Sequence, residues 1–228
     1  MTFRRYAVYV TPPPGPLADF GAAWLGWDPV TGREVAHAEI PGLPAPVAEV
    51  TETPRRYGFH ATMTPPFALA EEQTEDGVTQ TFERVCAERP PVTLDALRVG
   101  RMGRFLALLP EGDTATVDAL AAASVRAFAP LRAPLTADQL ARRRAAGLSP
   151  AQEARLLHWG YPHVIDGFRF HMTLTGKRPD HELPALRAAL ASRLAPLLPE
   201  PVVVEALSLM GEDAQGRFHL MCRTPLEG

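Results

Sequence analysis

The chain is poor in cysteine. It has two, Cys86 and Cys222, and no Cys-x-x-Cys spacing. That count speaks against a disulfide framework and against a cysteine-based zinc site, and a reducing cytoplasm is the simpler expectation. Long apolar runs are also missing, so no segment is expected to cross a membrane. After Arg4 and Arg5 the apolar stretch Tyr6 to Val10 is too short for a signal-peptide core, and Thr11 to Pro14 ends it. Positive charge is not in excess: 23 Lys and Arg face 26 Asp and Glu, a net charge of -3. That balance argues against a chain dominated by nonspecific nucleic-acid binding and leaves room for a local basic patch. No His-Glu-x-x-His pair of metal ligands occurs on any predicted helix.

What is present is the composition of a folded protein, 46% hydrophobic and 21% charged over 228 residues. A chain of this length buries a sizeable core, as one large domain or two intimately packed lobes. Residues 3–11 read as a strand stopped by Pro12 to Pro14. Leu17, Phe20, Trp24 and Leu25 recur at helical spacing before Gly26. Residues 28–53 read as an ordered but irregular connection. Helices are expected at 71–89, 114–129 and 181–196, with strands at 91–99 and 104–110 and again at 201–210 and 217–223. Two more helices, about 136–146 and 150–158, occupy a segment at 130–160. Ser149 followed by Pro150 is a good helix start. Glu153 falls four residues after Ser149, one too far for a capping box.

One hexapeptide occurs twice. Phe59-His60-Ala61-Thr62-Met63-Thr64 returns as Phe170-His171-Met172-Thr173-Leu174-Thr175. Strand alternation puts Phe59, Ala61 and Met63 on one face and His60, Thr62 and Thr64 on the other. The second copy divides the same way. Each copy thus has an apolar face for a core and a face that sets an imidazole beside a hydroxyl. After each copy comes helix, strand, strand, which predicts two related α+β lobes with antiparallel sheets.

Paired imidazoles suit displacement at phosphorus. One His activates the attacking water or hydroxyl, and the other protonates the departing oxygen. The hydroxyls of Thr62 and Thr173 suit the non-bridging phosphoryl oxygens. This chemistry requires neither metal nor cofactor. A zinc site drawing on His60, His158, His163, His171 and His219 is the competing arrangement, with Thr a poor ligand for it.

His60-Ala61-Thr62-Met63 and His171-Met172-Thr173-Leu174 resemble the paired His-x-Thr/Ser-hydrophobic motifs of the two-histidine (2H) phosphoesterase superfamily, which includes RNA 2′,3′-cyclic phosphodiesterases. Pro54 to Phe59 and Arg169-Phe170 resemble more closely an uncharacterised bacterial branch whose genes accompany phosphonate-utilisation genes. The resemblance implies a bilobal, pseudo-twofold fold with two antiparallel sheets facing a central cleft and helices outside. The chain departs from the compact RNA-processing members in its longer inter-motif segment, where a helical insertion is expected at about 130–160. It implies His60 and His171 as the acid–base pair and Thr62 and Thr173 as phosphate donors, without saying which His is the base. It makes a small sugar or nucleotide cyclic phosphate the expected substrate. The alternatives are an RNA end carrying a 2′,3′-cyclic phosphate and a binding module without turnover. No cofactor and no membrane partner are expected, and a cytoplasmic monomer is the simplest state.

Further residues are candidates for contacting substrate. Arg55, Arg56 and Tyr57 lie just before the first motif, where Arg can hold phosphate by two parallel hydrogen bonds. Tyr9 is placed to line the groove or the core. Tyr161 and His163 lie in a turn that leads into the second motif. Arg142-Arg143-Arg144 covers most of a helical turn, so at most one or two of these side chains face a common ligand.

Overall fold

A computed structural model describes residues 2–228. In chain order the elements are β1 (Arg5–Val10), α1 (Pro16–Leu25), β2 (Trp27–Asp28), β3 (Arg33–Glu34), α2 (Val47–Val50), α3 (Glu52–Arg55), β4 (Ala61–Phe67) and α4 (Glu75–Ala87). They continue with β5 (Val92–Leu94), β6 (Ala96–Met102), β7 (Phe105–Glu111), α5 (Ala115–Phe128), α6 (Ala137–Arg144), α7 (Pro150–Trp159), β8 (Met172–Thr173), α8 (Leu183–Leu194), β9 (Val202–Val204), β10 (Ala206–Glu212) and β11 (Phe218–Pro225). The class is α+β, and all strand pairings are antiparallel. No helix among the described residues is long and apolar enough to cross a membrane.

The two sheets expected from the sequence are joined by their ladder into one. Seven strands run in the order β11-β10-β1-β4-β8-β7-β6. The waist is narrow, because β4 and β8, the two motif strands, share the single pair Ala61–Met172. Four strands lie on one side of this waist and three on the other. The hairpins are exchanged: β6–β7 follows the first motif in sequence but pairs with the second, and β10–β11 follows the second but pairs with β1, on the side of the first. The short strands that precede the hairpins, β5 and β9, pair with each other.

One sheet face carries the main core. Val8, Val10, Ala61, Met63, Leu106, Leu108, Met172, Leu207 and Leu209 are buried on it. Against it α5 packs on β4, α4 on β10 and β11, and α8 on β6 and β7. The amphipathic spacing of α4 supplies Val78, Phe82, Val85 and Cys86 to this layer. Trp24 on α1 is fully buried and donates its indole N–H to the Leu174 carbonyl at 2.7 Å, tying the second motif to the first helix. Gly21 on the same helix lets the Phe59 ring approach so closely that a Cβ would lie 2.4 Å from it. The opposite face holds a smaller cluster of Ala7, Tyr9, Met210 and Phe218, flanked by Tyr57 and Leu220.

Helices α6 and α7 are capped more fully than the spacing of Glu153 suggests. Gln152, three residues after Ser149, closes a capping box at α7, and Thr136 with Gln139 closes another at α6. Gly160 ends α7 in the left-handed conformation, φ 75°.

Candidate active site

The two motifs meet at the waist of the sheet. With Ala61 opposite Met172 in antiparallel register, one further residue in each direction sets His60 beside Thr173 and Thr62 beside His171. Residues directly opposite in such a pair have Cβ atoms roughly 4.5–5.5 Å apart. Two imidazoles and two hydroxyls thus alternate around one small patch on the face away from the main core.

Both imidazoles are oriented by the same device. Nδ1–H of His60 donates to the Gly58 carbonyl at 3.0 Å, and Nδ1–H of His171 donates to the Arg169 carbonyl at 2.7 Å. Each acceptor lies two residues upstream. Because a carbonyl only accepts, the proton of the neutral ring sits on Nδ1 in both, and Nε2 presents its lone pair. The Thr62 hydroxyl donates to Nε2 of His60 at 2.9 Å. Gly58 supports this arrangement with φ 75°, and a Cβ there would meet Pro29 at 2.7 Å. The sequence reading missed Gly58; its place two residues before His60, like Arg169 before His171, is the available signal.

The environments of the two histidines differ. His60 is half-buried with Tyr9 stacked on it, ring centroids 3.7 Å apart, and Tyr57 at 6.0 Å. Burial lowers the His60 pKa to about 4, the Gly58 carbonyl opposes this, and the nearby His171 lowers it further. His171 stands outside the short strand β8, with Phe105 6.1 Å away.

The last threonine of each repeat leaves the patch. Tyr9 pairs with Thr62 but Val8 with Thr64, so two residues of β4 advance for one of β1. This bulge turns Thr64 to the face of Val8, where its hydroxyl meets Ser124 of α5 at 2.7 Å. In the second copy the amides of Leu174 and Thr175 both donate to the Leu106 carbonyl, at 2.9 and 3.2 Å. The Thr175 hydroxyl accepts from the Leu106 amide at 3.0 Å and donates to the Gly176 carbonyl at 2.8 Å. Simple alternation puts both threonines beside the histidines, whereas the structure buries both in internal hydrogen bonds.

The flanking candidates separate into two groups. Arg55 is bound inward: Nε donates to the Leu25 carbonyl at 3.0 Å and Nη2 to the Ala48 carbonyl, so it ties α1 to α2. Tyr9 is fully buried and meets the histidine patch only through the face it lends to His60. Arg56 is exposed, lies over Tyr57 at 4.6 Å and donates to its hydroxyl at 2.5 Å. Tyr161 is half-buried with Arg143 over its ring at 4.9 Å, while Arg144 pairs with Glu153 at 2.5 Å. Arg143 shares the inner side of α6 with Leu140, three residues earlier, a spacing that singles it out of the triplet. The histidines of the competing metal arrangement are dispersed. His158 packs on Trp159, His163 on Tyr161, and His219 bonds Asp213 at 2.7 Å. No three His, Cys, Asp or Glu side chains converge among the described residues.

The depressed His60 pKa has a thermodynamic signature. A ring held at about 4 rather than 6.5 takes its proton more readily in the unfolded chain. Between these values the unfolded state binds more protons, so stability falls as the pH drops through the window, and the contribution is absent above 6.5. The ring keeps an edge in solvent, so the full loss is no more than about 3 kcal/mol. Urea midpoints of the wild type and His60→Gln, measured without phosphate from pH 7.5 to 4.5, are expected to diverge, the wild type losing more. Parallel curves would refute the shift.

The model of a family described as a protein of unknown function (DUF1045) matches residues 62–219. A curated relative from Janthinobacterium sp. (strain Marseille), named ribose 1,5-bisphosphate phosphokinase PhnN, is 38% identical over 234 residues, covering 100% of this chain and 52% of its own length. A relative of the same name from Laribacter hongkongensis (strain HLHK9) is 37% identical over 221 residues, covering 96% and 51%. The chain therefore spans about half the length of the curated relatives it matches. Among solved structures, E. coli LigT in apo form aligns with TM-score 0.48 at 14% identity, covering 100% of both chains. TT0787 of Thermus thermophilus aligns with TM-score 0.45 at 15% identity, covering 98% of both.

Proposed function

The chain belongs to the DUF1045 family, and from the geometry of its paired histidines we propose that it is a phosphoesterase that opens a cyclic phosphodiester without a metal. The observation that carries this reading is the common anchoring of His60 and His171. Each ring holds Nδ1–H on a carbonyl two residues upstream and turns Nε2 to the patch where Thr62 and Thr173 also lie. A structural histidine has no need of a matched partner in the same tautomer.

The difference in setting supports a division of roles. His60, with its pKa near 4, is neutral at physiological pH and acts as base. His171, the partner ring across the patch, acts as acid. Nε2 of His60 takes a proton from water as the water oxygen bonds to phosphorus. The ring P–O bond breaks, and His171 gives its proton to the departing oxygen. The product is a phosphomonoester with a freed hydroxyl, and the two imidazoles return to their starting states by exchange with solvent. Thr62 releases Nε2 of His60 when an anion arrives, and its hydroxyl turns with that of Thr173 to the non-bridging oxygens.

A ribose phosphate is the favoured class of substrate. The relatives are named for ribose 1,5-bisphosphate, and hydrolysis of a ribose 1,2-cyclic phosphate at its 2-oxygen leaves a ribose 1-phosphate. The name PhnN links this reading to phosphonate utilisation. The test is turnover of a panel with chelator present: ribose 1,2-cyclic phosphates, nucleoside 2′,3′-cyclic phosphates and RNA with a cyclic phosphate end. The expected result is hydrolysis of the ribose compounds that survives the chelator. Binding without turnover across the whole panel would make the protein a phosphate-binding module, and turnover abolished by chelator and restored by zinc would make it a metallohydrolase.

A further inference from the structure

The Arg143 guanidinium is half-buried and has no acidic partner. Its neighbours on α6 are accounted for: Arg142 is exposed, and Arg144 is paired with Glu153. Arg143 alone turns inward over the Tyr161 ring, and no hydrogen bond or ion pair holds it among the described residues. A cation taken partly out of water and left unpaired is costly. Here the cost is raised by its surroundings. Arg5, Arg132 and Arg142 all lie close enough to disfavour its charge, in addition to the burial that does so first. Of these, Arg5 has a carboxylate, the buried Glu212. Arg132 bonds main-chain carbonyls only and leaves its Nε without a partner.

Phenolic hydroxyls surround the same corner. The Tyr9 hydroxyl is buried with no hydrogen-bond partner. Tyr57, Arg5, the Glu212 carboxylate that Arg5 binds, and Tyr161 are all near enough to act on it electrostatically. Burial raises the pKa of Tyr9 and of Tyr161, so both hydroxyls keep their protons and can donate. The corner adjoins the histidines, since the Tyr9 ring that ends in this orphan hydroxyl stacks on His60 at 3.7 Å. An excess of positive charge, an unpaired guanidinium and unspent O–H donors, one tyrosine's length from the catalytic patch, describe a place for a second anion.

We propose that Arg143, Tyr161 and Tyr57 form a second anion subsite, which holds a phosphomonoester carried by the same sugar whose cyclic phosphate lies between His60 and His171. The substrate class is thus a cyclic phosphate of a sugar that bears a separate terminal phosphate. The position of the first phosphate rests on the phosphoesterase reading above, but occupancy of the second subsite does not require turnover. The segment at 130–160 thereby contributes to specificity, because both Arg143 and α7, which leads to Tyr161, belong to it.

Binding and turnover test this separately. Ribose 5-phosphate is titrated calorimetrically into the wild type, Arg143→Gln, Tyr161→Phe and His60→Ala, with folding verified by circular dichroism. Arg143→Gln is expected to weaken binding roughly 10- to 100-fold, the value of a charge-assisted hydrogen bond. Tyr161→Phe should weaken it less, and gives the result if Arg143→Gln does not fold. His60→Ala should still bind. In turnover, the preference for ribose 1,2-cyclic phosphate 5-phosphate over ribose 1,2-cyclic phosphate, as a ratio of kcat/KM, should fall by a similar factor in Arg143→Gln and persist in Arg142→Gln. Equal binding of ribose 5-phosphate to wild type and both subsite variants, or no binding to the wild type, would overturn the subsite. So would an equal loss on both substrates. Full turnover by His60→Ala would sink the histidine mechanism instead, and would leave the binding result standing.

Discussion

Replacing His60 or His171 with alanine is expected to cut turnover of an accepted cyclic phosphate by roughly 100-fold or more, because each removes one proton transfer from the transition state. The double variant should lose much less than the product of the two single losses, since both groups act in one step. The pH profile separates their roles. With His60 as base, kcat/KM in the wild type rises with pH through a value near 4, and this limb vanishes in His60→Ala. Thr62→Val and Thr173→Val remove one donor each while nearly preserving shape, and should cost about 1–3 kcal/mol of transition-state stabilisation. Steady-state kinetics on folded variants decide the matter. If both alanine variants keep full turnover, catalysis lies elsewhere on the molecule.

The largest loss of stability should come from Trp24→Ala, at about 3–5 kcal/mol. The indole is fully buried, Phe20 stacks beside it at 6.3 Å, and its N–H satisfies the Leu174 carbonyl. Truncation opens a cavity between α1 and the sheet and strands that carbonyl in an apolar setting. Trp24→Phe keeps most of the volume and loses only the hydrogen bond, so about 1–3 kcal/mol is expected. Urea denaturation measures both, and a loss below about 1 kcal/mol for Trp24→Ala would contradict the packing described. Because Leu174 directly follows Thr173, reduced activity in the folded Trp24→Phe variant would show that the helix also positions the second motif.

The sequence made the repeat legible because identical chemistry at identical phase survives without any knowledge of tertiary contacts. Helices α4, α5 and α8 were equally visible, since their apolar stripes follow the helical period. Three features were not. A β-bulge changes the face of Thr64 through one extra residue, and nothing in an alternating pattern marks where the ladder slips. The fate of Arg55 depends on the main-chain carbonyls of Leu25 and Ala48, groups that every residue carries and no pattern distinguishes. The exchange of hairpins depends on which edge each one finds, and local periodicity carries no such address. Tyr9 lies between these cases: an apolar alternation places it on a strand, but only the opposing Phe218 and Met210 determine that its face is covered.

The exchanged hairpins bear on how the protein comes to fold. Arg5 and Glu212, 207 positions apart, are joined by their side chains as β1 and β10 lie edge to edge. Contacts of such sequence separation are slow to form, because chain entropy is lost before they repay it. While the chain is being synthesised, β1 and β4 can associate but must wait for residues 206–225 before the Tyr9 side is enclosed. The first histidine therefore gains its stacked, desolvated setting only after residues 206–225 have been made. A nascent fragment ending near residue 200 would expose β1 as a free edge, open to pairing with other chains. The enclosed setting of His60 and the cover over the β1 edge thus arrive together, with the β10–β11 hairpin.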